Sequence, residues 1–178
     1  MIKEISTLII LLCVQISLSA ELVSLKDFLK TELSASAKVS KETFDLSADD
    51  KSKLAELAQN SEEKSFTFYY GKAADGKIEK SCTVVVQKGK EGPMSVGTCF
   101  NPNGLIESVT ILGHEEERGK GISEQSFLKQ FKSKKVSDAF VVGKDVDGIS
   151  GATWSSNYVS EALRKSSFGF TKFVKGKK

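Results

Sequence analysis

The chain is poor in the residues from which many sites are built. Its 178 residues include one histidine, His114, with three cysteines, two prolines and one tryptophan. One histidine with cysteines at 13, 82 and 99 gives no CxxC redox pair and no set of zinc ligands. The chain has no GxxxxGK[ST] loop and no dinucleotide-binding fingerprint, which argues against nucleotide turnover. Gly148-Ile149-Ser150-Gly151-Ala152 falls one residue short of a serine-hydrolase elbow, because Ala152 stands where glycine is needed. The one base available to such a serine would be His114, in a different segment. The formal net charge is only +3, and the lysines are scattered apart from the tail Lys175-Gly176-Lys177-Lys178, so nucleic acid is a poor partner. Beyond the first twenty residues no apolar run is long enough to span a bilayer, and no internal repeat is visible. No catalytic residue and no metal ligand is assigned.

The first twenty residues do carry an apolar run. Lys3 precedes a stretch from Thr7 to Leu18, broken by Gln15 and Ser17, and Ala20 is a small residue suited to cleavage. This pattern predicts a signal peptide over 1–20 and an exported protein, periplasmic or at the cell surface, with an uncleaved membrane anchor as the alternative. Cys13 follows Leu12, which is too large for the usual lipoprotein pattern. Export puts Cys82 and Cys99 in an oxidising compartment, on two runs that read as neighbouring strands. A disulfide and two buried thiols both remain open.

The rest is of a size for one domain. Leu22, Val23, Leu25, Phe28, Leu29 and Leu33 recur at helical spacing, Ser34 to Lys41 reads as a polar loop, and Ser47 with Asp50 reads as a capping box before a second helix. We therefore expect 21–64 to be a helical segment packing on the core. From Ser65 the period becomes two. Phe66-Phe68-Tyr70, Cys82 to Gln87, Met94 to Phe100 and Leu105 to Leu112 read as strands, separated by turns at Asp75-Gly76, Gly89 to Pro93 and Asn101 to Gly104. Short turns between successive strands predict an antiparallel meander. Ser123 to Lys132 reads as a helix, Ala139 to Val142 as a short strand, and Val159, Ala162 and Leu163 as a closing helix capped by Ser155 or Ser156. Phe168, Phe170 and Phe173 read as a last edge strand. The expected fold class is α+β, a single domain whose mostly antiparallel sheet is flanked by helices.

The most informative stretch is Asp147-Gly148-Ile149-Ser150-Gly151-Ala152-Thr153-Trp154-Ser155-Ser156. It sets a small, hydroxyl-rich turn before a helix and places a threonine at that helix's mouth, where unpaired N–H groups and the helix dipole favour a phosphate. Trp154 and Tyr158 flank the threonine, either to stack on a bound ring or to cover the core at the helix start. A second stretch, His114-Glu115-Glu116-Glu117-Arg118-Gly119-Lys120-Gly121, carries glycines that let backbone N–H groups approach a flat ring.

Both stretches resemble motifs of the FMN-binding domain family, which includes the FMN-carrying subunits of the Rnf and Nqr respiratory complexes. Asp147, Ser150, Gly151, Ala152 and Thr153 match each fixed position of the family's flavinylation motif. His114, Glu116, Gly119 and Gly121 match a His-x-Glu-Thr-x-Gly-x-Gly-like loop, from which Glu117 departs where Thr is usual and Arg118 where Pro is common. The resemblance runs from about Tyr69 to Leu163 and makes 65–178 an FMN-binding domain. It implies FMN esterified through its phosphate to Thr153 by a flavin transferase that uses FAD with a divalent metal such as Mg2+, with Asp147 recognised during the modification. It implies further that the loop from His114 to Gly121, with Glu117 and with Arg118 supplying positive charge, tunes the ring. The implied function is that of an extracytoplasmic electron carrier, rather than a stand-alone enzyme, serving redox partner proteins of an electron-transfer chain. The alternatives are an FMN-bearing relay subunit of a reductase complex and a flavin-free envelope-binding module.

Overall fold

A computed structural model describes residues 20–59, 61–117 and 119–177. The leader up to Ser19, including Cys13, lies outside the described residues, as does Arg118. Among the described residues no helix is long and apolar enough to cross a membrane.

The framework is one six-stranded antiparallel sheet in the order β1-β6-β5-β4-β3-β2. Strands β3 (Ser65–Lys72), β4 (Ile78–Lys88), β5 (Pro93–Phe100) and β6 (Ile106–His114) form the meander that the turn signals predict. Their alternating side chains divide the interior in two. Phe66, Phe68, Val85, Val96, Phe100 and Ile111 face the long helix α4 (Thr153–Phe173). Cys82, Cys99 and Leu112 face α1 (Leu25–Glu32), which lays Phe28 and Leu33 over them. Strand β1 (Ala20–Glu21) pairs with Gly113 and His114 of β6, so Ala20, placed at the end of the leader by the sequence, takes part in the sheet. Helix α2 (Ala48–Leu57) starts at the expected capping box: Ser47 Oγ accepts from Asp50 N at 3.3 Å, and Asp50 Oδ2 accepts from Ser47 N at 3.1 Å. Asp50 also pairs with Lys172, which ties α2 to α4.

Four elements differ from the sequence reading. Between α1 and α2 runs a full strand, β2 (Lys38–Asp45), where a loop was expected within a helical segment. It is paired with β3 along its whole length but is mostly exposed, and only Phe44 reaches the core, so it carries no apolar alternation to read. The helix expected over Ser123 to Lys132 is broken into a 3-10 turn at Lys120–Ser123, a single turn α3 (Gln125–Leu128) and a second 3-10 turn at Lys129–Phe131. Ala139 to Val142 is no strand. It is a loop whose Phe140 and Val141 N–H groups donate to the Asp145 carboxylate at 3.0 and 2.6 Å. Finally, Phe168, Phe170 and Phe173 belong to α4, not to an edge strand. Helix propagation past a well-packed start needs only one further hydrogen bond per residue, and Gly169 lets α4 lie directly on the Phe66 ring.

Cys82 and Cys99 are register partners on β4 and β5 and are joined by a disulfide, with a Cα–Cα distance of 4.1 Å. The bond closes a sequence separation of 17 residues and lies fully buried under α1. Replacing both cysteines by alanine is expected to cost about 3 kcal/mol, from lost loop-closure constraint together with the packing under Phe28. Urea unfolding of the double variant beside the wild type measures it.

Candidate functional site

Helix α4 begins where the chain turns sharply. Gly151 has φ +77°, a conformation that suits glycine, and Ala152 N donates to Ile149 O at 2.9 Å to close the turn. Ala152 is the N-cap and offers no side-chain acceptor, and no acidic residue lies in the first turn, so the first N–H groups of α4 keep their free positive end. Thr153 is the first helical residue and is exposed, as are Asp147, Ser150 and Gly151, while Ala152 is buried. A side-chain carbon added at Gly151 would meet nothing within 4 Å, so the space beside Thr153 is open. Ser155 and Ser156 do not cap the helix. Ser156 Oγ accepts from Ile149 N at 3.0 Å and donates to Ala152 O at 3.1 Å, which pins the turn from inside.

Ser155 reaches the second motif. Its hydroxyl donates to Glu116 Oε2 at 2.8 Å, and Glu116 Oε1 accepts from the N–H groups of Lys90 and Glu91 at 2.8 and 3.2 Å. Glu116 is only 4% exposed, so its carboxylate joins α4, the β6 end and the β4–β5 hairpin in one buried node. Gly119 lies so close that an added carbon would strike Ser155 Oγ and come within 2.6 Å of Ser155 Cβ. Gly121 faces Ile149 Cδ1, 3.3 Å from where such a carbon would sit. The two motifs, distant in sequence, are thus in direct contact through Glu116, Gly119 and Gly121. His114 joins through the backbone: its Nδ1 accepts from Glu116 N at 3.1 Å, which leaves the proton on Nε2. Burial holds its imidazole below the ordinary histidine pKa; the Glu116 carboxylate opposes this and Lys120 adds to it. Glu117 is not brought to Thr153. It is exposed, and its N–H donates to the Glu91 carboxylate at 2.5 Å.

Asp147 is held by a residue that the sequence reading passed over. Its N–H donates to Gln130 Oε1 at 2.7 Å and its carbonyl accepts from Gln130 Nε2 at 3.2 Å, leaving the carboxylate exposed. Upstream, Arg164 of α4 donates to Phe140 O at 2.6 Å and fixes the loop that leads into the motif. The Gly89–Gly92 hairpin was legible as a turn, but its two N–H groups on Glu116 were not. Its only signal is glycine: a carbon at Gly89 would collide with Glu116 Oε1.

No deep cavity lies at Thr153. A groove of about 640 Å³ runs between Glu62–Phe66 and the β4–β5 hairpin, and a hollow of about 470 Å³ is lined by Leu22, His114, Glu115, Glu116, Glu117, Lys120 and Ser123. Neither includes Thr153. The arrangement suits a group fixed by one end to an exposed hydroxyl and lying over a surface.

Residues 89–167 match the FMN-binding domain family. The match spans the β4–β5 hairpin, the Glu116 loop and the first two-thirds of α4, so both motifs fall within it. The cofactor is FMN. The chain's own residues fit it: Thr153 offers a free hydroxyl and the α4 start offers uncapped N–H groups for a phosphate. The fold is that of two solved structures, the NqrC-type component of the Na(+)-translocating NADH-quinone reductase from Parabacteroides distasonis and NqrC from Shewanella oneidensis. The first is 21% identical with a TM-score of 0.56, covering 78% of this chain and 79% of that one. The second is 17% identical with a TM-score of 0.57, covering 83% and 86%. No curated protein sequence matches the chain.

Two outcomes test the site of this FMN-binding domain. Glu116→Ala strands three donors and is expected to lower stability by about 3 kcal/mol, whereas Glu116→Gln keeps an acceptor for the hairpin and costs about 1 kcal/mol; denaturant titration separates them. The unfolded chain protonates His114 more readily than the folded one, so the stability from the neutral ring is full above about pH 6.5 and is lost as pH falls through that value. The urea midpoint is expected to drop between about pH 7.5 and 5.5 more in the wild type than in His114→Asn, whose Oδ1 replaces Nδ1 as acceptor.

Proposed function

We propose that this protein is an exported flavoprotein that carries FMN as a phosphoester on Thr153 and passes electrons between partner proteins. The observation that carries the reading is the placement of Thr153. Its hydroxyl is exposed at an uncapped helix N-terminus, with the His114–Gly121 loop laid against the same turn. Loading by a transferase would join Thr153 Oγ1 to the phosphorus of the FMN half of FAD and break the bond to the AMP half. AMP leaves, and the hydroxyl proton passes to the transferase or to water. A tether suits a shallow site outside the cytoplasm: a micromolar noncovalent site is worth only about −8 kcal/mol and loses its ligand on dilution.

Once bound, FMN supplies the redox chemistry. This chain's part is to hold the phosphate at the α4 dipole, to fix the turn through Ser156 and Gln130, and to keep the Glu116 loop rigid beside it. The fold likeness to two NqrC components of NADH-quinone reductases favours a role as relay within a larger assembly, with any substrate site on a partner. That step rests on fold analogy.

Protein produced in the exporting host with its transferase is expected to stay yellow after denaturation and to gain the mass of one FMN less water. Thr153→Ala is expected to lose both signals. A covalent flavin retained in that variant would falsify the attachment site.

A further inference from the structure

The lone tryptophan stands immediately after Thr153 and does not cover the core. Trp154 is 62% exposed, although its neighbours Ala152, Ser155 and Ser156 are buried. One turn further along α4, Tyr158 is half-buried against the main core. Its ring centroid lies 6.4 Å from that of Trp154, with the planes inclined by 32°. The two rings sit four residues apart, so they occupy the same side of the helix. Together they make an aromatic ledge that starts at the attachment residue and is anchored at its far end.

We propose that this ledge is the seat of the isoalloxazine ring, with Trp154 stacking on one face of the tethered flavin and Tyr158 flanking it. The inference rests on the attachment at Thr153. The chemistry is specific to a large, flat, electron-poor ring: an indole left in water gains contact area and offset stacking when such a ring lies on it. The loops offer no competing slot. Gly119 and Gly121 are closed against Ser155 and Ile149, whereas the space around Gly151 is open. The ledge also explains why an otherwise costly exposed tryptophan occurs where a small polar residue would serve the helix start as well.

Flavin emission reads this contact, because an indole or phenol within van der Waals contact quenches it and a leucine or phenylalanine does not. Wild-type protein, Trp154→Tyr, Trp154→Leu and Trp154→Leu/Tyr158→Phe are loaded, and FMN on Thr153 is counted by mass. The wild type and Trp154→Tyr are expected to be dim, Trp154→Leu several-fold brighter per flavin, and the double variant brighter still. Circular dichroism is expected to be unchanged, since Trp154 lies outside the core and Tyr158→Phe keeps its packing. Equal brightness per flavin in all four proteins, with mass confirming the load, overturns the stacking and leaves the attachment intact. Should mass show no flavin on the wild type, the attachment reading fails instead, and free riboflavin becomes the probe. Saturable quenching by the wild type that Trp154→Leu loses upholds the ledge, and its absence from the wild type overturns it.

Discussion

A carboxylate removed from water is tolerated only where donors surround it. Glu116 meets that condition with three donors from two other elements, the Lys90 and Glu91 N–H groups and the Ser155 hydroxyl. Each donor comes from a segment with no reason of its own to hold one shape. The hairpin is short and glycine-rich, the loop after β6 has no regular structure before Lys120, and the first turn of α4 lacks a cap. The carboxylate makes the three interdependent. Gly89 and Gly119 follow from it, because each lies where any side chain would displace Glu116 or its partner. The position of Thr153 therefore depends on a residue that it does not touch.

A second buried node supports α4 from the sheet side. Glu161 accepts from Gln87 Nε2 at 2.8 Å and Gln59 N at 3.2 Å, and burial raises its carboxyl above the usual range. Lys165, fully buried, pairs with Glu63 and donates to Val86 O at 3.0 Å. A helix whose buried face includes Ser155, Ser156, Ser160, Glu161, Lys165, Ser166 and Ser167 gains less from apolar transfer than an aliphatic one. Polar pairs fix its rotation instead, and so they fix the direction in which its first residue points.

The central meander was legible in the sequence because each strand there buries alternate residues and each turn uses Gly, Asn or Asp. The start of α2 was legible because Ser47 and Asp50 satisfy each other locally. Legibility failed where structure comes from partners distant in sequence. Strand β2 owes its shape to the β3 ladder and buries almost nothing. The Ala139–Val142 stretch is β-branched and apolar, yet Asp145 and Arg164 fold it into a loop with Phe140 at φ +48°. Phe168-Gly169-Phe170 alternates like a strand over too few residues to outweigh the helix before it. At the site, both motifs and Thr153 could be read in advance. The hydrogen bonds joining them could not, since Glu116, Ser155, Lys90 and Gln130 are ordinary polar residues until the chain brings them together.

The seam between the two motifs is shut, with Gly119 against Ser155 and Gly121 against Ile149. A group anchored at Thr153 therefore rides on the outside of the protein like a pennant on a mast. Its permanence is decided by one bond, and its accessibility by the bare surface around it, so the two properties can vary independently. A visiting molecule would need no gate to open and no lid to move before reaching it.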